Sequence, residues 1–227
     1  MSHGWFVTGT DTGIGKTFVA ELMLEGLKAA GRAAVGMKPV ASGCYESVAG
    51  LRSEDAERLL AAGSVSAPYA TINPYAFLEP VAPHIAAQQV GRAIEIGVIR
   101  SCFTQLAGQG AVVVEGVGGW RVPIGGGNTV ADIAMALDLP VVLVVGVRLG
   151  CINHALLTAE AIAADSRALA GWVANIVAPD TARLPENIAA LESLIRAPRL
   201  ATIPHGPSLA ERAALARTLA AAITRVS

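Results

Sequence analysis

The segment Gly9-Thr10-Asp11-Thr12-Gly13-Ile14-Gly15-Lys16-Thr17 has the residue types that grip a polyphosphate. Glycines let backbone N–H groups close on phosphate oxygens, and the start of a helix adds positive potential. Lys16 stands where a lysine reaches the β- and γ-phosphates, and Thr17 where a hydroxyl holds Mg²⁺. Five residues separate Gly9 from Gly15, one more than GxxxxGK[ST] has, and Thr10 stands where that pattern asks for glycine. A glycine-rich turn with an incidental Gly-Lys-Thr is the plainer alternative. It leaves unexplained the order of apolar run, loop, Gly-Lys-Thr and helical pattern.

Three further segment ends carry charge. Lys38 heads Lys38-Pro39-Val40-Ala41-Ser42-Gly43, behind the apolar Ala33–Met37. Two lysines beside a triphosphate neutralise charge that builds during phosphoryl transfer. A solvated lysine at a strand end fits the spacing equally well. Asp55 suits a Mg²⁺ ligand, but acidic residues behind a cap such as Ser53 favour the first turn of any helix, and alone that reading wins. Glu115 opens Glu115-Gly116-Val117-Gly118-Gly119 behind the wholly apolar Ala111–Val114. Burying a lone carboxylate there is costly, so a second acidic Mg²⁺ ligand is the better reading, with the glycines leaving room for phosphate. Asn175 ends an apolar run and meets a base edge or simply turns the chain. Glu211 follows Ser208 by three, the spacing of a capping box. His84, His154 and His205 lack ligand spacing, so no zinc is expected, and no GxSxG supports acyl chemistry.

These residues need a frame that gathers their segment ends. Short apolar runs predict strands at Gly4–Thr8, Ala33–Met37, Ala111–Val114, Leu139–Val147, Leu169–Val177 and Arg199–Ile203. Helical patterns lie between them, at Lys16–Ala30, Glu54–Ala62, Ile94–Leu106, Thr129–Leu137, Asn153–Ala164 and Pro185–Ile195. An amphipathic helix over Ser208–Val226 closes the chain. Ser64–Pro83, with Pro68, Pro74, Pro80 and Pro83, reads as a loop. The alternation predicts an α/β fold: a mostly parallel sheet with helices on both faces, one domain over residues 1–227. Such sheets bind ligands beyond the C-terminal ends of their strands.

Composition narrows the function classes. Of 227 residues, 53% are hydrophobic and 15% charged, enough to bury a core and too apolar for disorder. Seventeen Lys and Arg against 18 Asp and Glu leave a net charge of −1, with no basic field for nucleic acid or an anionic membrane. Cys44, Cys102 and Cys151 are widely spaced, which argues against a disulfide framework. The longest apolar run, Leu139–Val147, falls well short of the roughly 20 residues of a membrane span. A cytoplasmic protein is expected.

Taken together, six segments resemble the dethiobiotin synthetase family, ATP-dependent ring-closing ligases of biotin synthesis. They are FVTGTDTGIGKT (Phe6–Thr17), KPVASG (Lys38–Gly43), NPYAFLEPVAPHIAA (Asn73–Ala87), VEGVGGWRVP (Val114–Pro123), VVLVVGVRLGCINHALLTAE (Val141–Glu160) and GWVAN (Gly171–Asn175). The long phosphate loop is also that family's form. The resemblance implies a P-loop NTPase-like fold and a reaction of 7,8-diaminopelargonic acid (7,8-diaminononanoate), CO₂ and MgATP. It implies Lys38 as the active-site lysine with Lys16 on the phosphates, and Thr17, Asp55 and Glu115 as Mg²⁺ ligands. Gly13, Ile14, Gly15, Phe18, Gly116, Val117 and Gly118 would line the nucleotide. Asn175 would read adenine, with Pro204, His205, Gly206 and Glu211 as the remaining nucleotide contacts. Thr12 and Ser42 would meet the diamine. The resemblance also implies a homodimer with the substrate's carboxylate tail near the interface, where Gly150, Cys151 and Asn153 open a helix whose N–H groups suit an anion.

Gly13 replaces an acidic residue of some family members, so a contact made by that side chain cannot occur here. Two rival readings predict other features. An ATP-driven switch of the chromosome-partitioning type calls for a second lysine early in the loop, where Thr10 stands, and for a basic or membrane-binding face. A glutamine-dependent amidoligase calls for an attached amidotransferase domain, for which 227 residues are too few.

Overall fold

The computed structural model describes residues 4–226; the ends of the expected 1–227 span lie outside the described residues. The first strand, β1 (Gly4–Gly9), is buried throughout and runs into the glycine-rich loop, and α1 (Lys16–Ala29) leaves it. Then come β2 (Ala34–Met37), β3 (Val40–Ser42), β4 (Tyr45–Ser47), β5 (Gly50–Arg52), α2 (Glu54–Ala62), α3 (Tyr69–Ile72), β6 (Tyr75–Phe77) and α4 (Pro83–Gln89). The middle of the chain forms α5 (Ile96–Ala107), β7 (Ala111–Glu115), β8 (Pro123–Gly125), β9 (Asn128–Thr129) and α6 (Val130–Leu137). The last third forms β10 (Val141–Val147), α7 (Cys151–Ala164), β11 (Leu169–Ile176), α8 (Leu184–Leu194), β12 (Arg199–Ile203) and α9 (Leu209–Arg225).

Among the described residues, six strands form one sheet in the order β12-β11-β10-β1-β7-β2. Every neighbouring pair in it is parallel. Parallel neighbours need crossovers, and the crossover helices cover both faces, which is why these strands are almost wholly apolar. Successive residues of β1 point to opposite faces. Trp5 and Val7 pack with Val19, Leu22 and Met23 of α1 and Leu219 of α9. Phe6 packs on the other face with Ile99 and Phe103 of α5 and Ile133 of α6. Full burial of such side chains is worth about 1.5–3 kcal/mol each. Helix α9 comes so close to α1 that a Cβ on Gly26 would lie 2.0 Å from the carbonyl oxygen of Ala216.

The alternating architecture is the expected one, and Ser64–Pro83 corrects it in one region. That stretch contains α3 and β6, and Pro83 begins α4. Three of its four prolines sit at element starts: Pro68 precedes α3, Pro74 precedes β6, and Pro83 lies in the first turn of α4, where a missing N–H costs nothing. The hairpin β4–β5 and the β3–β6 pair add small sheets beside the main one. The C-terminal ends of β1, β2 and β7 lie side by side at one edge of the molecule.

Candidate active site

The glycine-rich loop follows β1 at the centre of the sheet and is held from below. The Thr10 amide donates to the Val144 carbonyl (3.1 Å), and Ile14 buries its side chain, 2% exposed. Gly15 has φ 88°, and a Cβ there would lie 2.3 Å from Asn175 Nδ2. That same Nδ2 donates to the Ile14 carbonyl (2.7 Å). Only glycine lets the loop turn and close on Asn175 together. Lys16 folds back across the loop, Nζ donating to the Asp11 carbonyl (2.8 Å), and the Asp11 carboxylate pairs with Arg148 (2.5 Å). Burial and the nearby charge of Lys38 lower the Lys16 ammonium to about 8, against the opposing pull of Glu115, Asp55 and Asp11.

Four side chains from four elements or their ends meet behind the loop. Thr17, on α1, lies 2.8 Å from Asp55 Oδ1 and 3.0 Å from Glu115 Oε1. Lys38 Nζ sits 2.6 Å from Glu115 Oε1, 2.7 Å from Asp55 Oδ2 and 3.3 Å from the Gly116 carbonyl. The cost expected for a lone Glu115 carboxylate is thus met by a partner. Removing one member of such a buried pair costs about 3–5 kcal/mol. Burial pushes the Lys38 ammonium down, but the two carboxylates outweigh it and hold the group above its ordinary value. Burial likewise raises the Glu115 carboxyl despite Lys38. Asp55 goes the other way: burial raises it, but Lys38 and the Thr17 hydroxyl prevail and keep it low.

The oxygens suit a hard divalent cation. A hydroxyl and two carboxylates converge, and Glu115 Oε2 is buried with no hydrogen-bond partner. Mg²⁺ is bound through one or two carboxylates together with substrate phosphates, so this sparse set fits it. Among the described residues, no group of three or more His, Cys, Asp and Glu is placed to hold a metal ion by itself. The cluster opens into a cleft of about 720 Å³, lined among others by Thr12, Lys16, Lys38, Ser42, Asp55 and Glu115. Gly13, Gly15, Thr17, Phe18, Val117 and Gly118 face the same cleft. It is large enough for a nucleotide triphosphate tail and a small second substrate.

The remaining sequence-predicted residues do not line this cleft. Asn175 is committed to the loop carbonyl, and Gly116 lies under Lys38. Pro204, His205 and Gly206 follow β12, with His205 and Gly206 exposed. Glu211 is exposed and closes the α9 capping box, accepting from the Ser208 amide (2.8 Å). Gly150, in the left-handed region at φ 91°, and Cys151 open α7. Cys151 is buried and its amide bonds to the Arg148 carbonyl, whereas Asn153 is exposed.

One contributor escaped the sequence reading. Asn73, 4% exposed, donates to the carbonyls of Lys38 (2.7 Å) and Tyr75 (3.3 Å). Tyr69 O–H donates to Asn73 Oδ1 (3.2 Å) and accepts from the Ser53 amide at the start of α2. The segment read as a loop therefore fixes the strand end that carries Lys38. Its one local signal was Asn73-Pro74, which marks a turn without saying what the amide holds.

Comparisons with known proteins bear on the fold and the family. Residues 3–213 match the family model AAA_26, described as an AAA domain. The chain is 52% identical over 216 residues to the ATP-dependent dethiobiotin synthetase BioD of Xanthomonas oryzae pv. oryzae (strain PXO99A), covering 95% of this chain and 96% of the relative. It is 52% identical over 204 residues to the protein of the same name from Aromatoleum aromaticum, covering 89% and 91%. Among solved structures, the MinD cell division protein of Aquifex aeolicus matches with TM-score 0.57 at 13% identity, covering 98% of this chain and 94% of that one. A ParA family ATPase from Chlorobium tepidum TLS matches with TM-score 0.54 at 15% identity, covering 100% and 93%. At such identities these two structures speak to the fold alone.

Proposed function

The chain belongs to the ATP-dependent dethiobiotin synthetases, and from that premise we propose the reaction its cleft performs. One amine of 7,8-diaminopelargonic acid takes up CO₂ as a carbamate, releasing a proton. A carbamate oxygen attacks the γ-phosphorus of ATP, and the bond to the bridging oxygen breaks to release ADP. The second amine attacks the carbonyl of the mixed anhydride. Phosphate leaves with the former carbamate oxygen, a second proton is lost, and the ureido ring of dethiobiotin closes.

The observation that carries this reading is the meeting of Lys38, Asp55, Glu115 and Thr17 beside the phosphate loop. Carbamate and γ-phosphate are both anions, so joining them requires concentrated positive charge in a place poor in water. Lys38 is held charged and directed at that place. Lys16, buried and close to losing its proton near pH 8, gains most from an approaching phosphate, whose charge restores the ammonium. Thr17, Asp55 and Glu115 would hold Mg²⁺, which supplies charge neutralisation across the phosphates when bound. Ser42 and Thr12, on the cleft wall, would face the diamine.

The rest of the nucleotide would run from the loop toward Asn175 and the segment Pro204–Gly206, with Glu211 beyond. Gly150, Cys151 and Asn153 lie outside the main cleft, so their proposed carboxylate would belong to a substrate held between two copies of the chain. We read the protein as a homodimer of the cytoplasm; among the described residues no helix is long and apolar enough to cross a membrane. The test supplies purified protein with the diamine, MgATP and ¹³C-bicarbonate, and follows mass. Labelled dethiobiotin that requires both ATP and diamine is the expected result. ATP turnover indifferent to the diamine, without labelled product, would move the protein to the ATPase-switch class.

A further inference from the structure

The two proposed carboxylate ligands are held very differently. Glu115 is 1% exposed at the end of a central strand, while the Asp55 side chain is 40% exposed on a nine-residue helix. Helix α2 fully buries only Ala56 and Leu59, and its other packed apolar residues, the half-buried Leu60 and Ala62, lie toward its C-terminal end, away from Asp55. Its N-cap, Ser53, accepts from the Ala56 amide and donates its own amide N–H to the Tyr69 hydroxyl (2.7 Å), which ties the helix start to α3 and not to α1.

A second bridge lies one turn further along. Glu21 stands four residues after Thr17 on α1, and Arg58 three after Asp55 on α2, so both pairs face the same seam. Arg58 Nε and Nη2 donate to Glu21 Oε1 and Oε2, each at 2.8 Å. A two-bond fork sets angle as well as distance. Glu21 is buried, its side chain 7% exposed, and α9 secures it: Arg212 Nη2 reaches Glu21 Oε2 (3.3 Å) while the same guanidinium binds Glu25 and lies 5.0 Å from the Phe18 ring. A carboxylate buried at this depth is a costly way to join two helices.

We infer that Glu21 is a positioning residue for the divalent cation, acting through Arg58 to hold Asp55 beside Thr17. This rests on the proposed Thr17–Asp55–Glu115 site. Loss of outer partners of metal ligands costs about 10–100-fold in metal affinity or activity. Glu21→Gln and Arg58→Met therefore each raise the Mn²⁺ dissociation constant about tenfold.

The test titrates Mn²⁺ by electron paramagnetic resonance into full-length protein saturated with a non-hydrolysable ATP analogue. Asp55→Asn serves as the control. Each single variant should weaken Mn²⁺ about tenfold, and the double variant should do no worse than the weaker single, because both break one bridge. Arg58→Lys should recover part of the loss. Turnover at saturating Mg²⁺ should stay within about twofold of the parent, the loss appearing in the Mg²⁺ needed for half activity. Mn²⁺ affinity unchanged in Glu21→Gln and Arg58→Met, with only the melting temperature lowered, would reduce the bridge to a strut. A raised KM for ATP in Arg58→Met, with Glu21→Gln silent, would make Arg58 a nucleotide contact and also overturn the inference. Mn²⁺ affinity unchanged in Asp55→Asn would remove the metal site itself, and the inference with it. Arg58→Met keeps the readout available if Glu21→Gln folds poorly, since Arg58 is partly exposed and Glu21 retains Arg212.

Discussion

At the phosphate end of the cleft, Glu115 and Lys38 are almost fully buried and bonded at 2.6 Å, with Asp55 and Thr17 completing the cluster. Outside the cleft, beyond β12, His205 stands in solvent and Glu211 spends its carboxylate on capping α9. Lys38 and Glu115 are desolvated and paired before any ligand arrives. The groups outside the cleft are hydrated or satisfied by their own backbone. Preorganised charge in a dry site is where electrostatic stabilisation of a transition state is largest, whereas hydrated groups supply affinity in small increments. On the proposed assignment, burial separates the residues of the chemistry from those of nucleotide recognition.

Four substitutions test that separation, in falling order of effect. Lys38→Ala removes the cation between two carboxylates, and turnover should drop about 10²–10³-fold; steady-state kinetics beside circular dichroism checks it, and near-parental turnover would take Lys38 out of the chemistry. Asp55→Asn should raise the Mg²⁺ required for half-maximal rate about 10–100-fold, no less than the loss of an outer partner would. An unchanged Mg²⁺ response would return Asp55 to helix capping. Asn175→Ala frees the Ile14 carbonyl and loses one hydrogen bond of about 1 kcal/mol, so KM for ATP should rise about fivefold with turnover little changed. A fall in turnover there instead would mean that Asn175 acts through the phosphate loop on the chemistry. His205→Ala, on an exposed loop, should alter KM for ATP by less than about twofold; a tenfold rise would show that the exposed loop closes over the base.

What the sequence made legible follows the same division. The central strands were readable because burial on both faces forces apolar runs, and the phosphate loop because its chemistry is local in sequence. Glu115 was readable as an anomaly, a carboxylate ending an apolar strand. Asp55 was named only through the family resemblance, since its first-turn position suits any helix and its partners lie 38 residues before it at Thr17 and 17 before it at Lys38. Asn73 and the Glu21–Arg58 bridge were hidden for the same reason: each acts across elements, and nothing within a few residues says what it holds. Prolines misled over Ser64–Pro83, because at element starts proline initiates structure rather than breaking it.

The central claim is that the buried charge cluster drives phosphoryl transfer to a carbamate. ¹⁸O-labelled bicarbonate, mixed rapidly with enzyme, diamine and MgATP, tests it most directly. If the carbamate oxygen attacks the γ-phosphorus and leaves with it at ring closure, one ¹⁸O atom from bicarbonate appears in the released phosphate. Phosphate that takes its new oxygen from water instead would contradict the account.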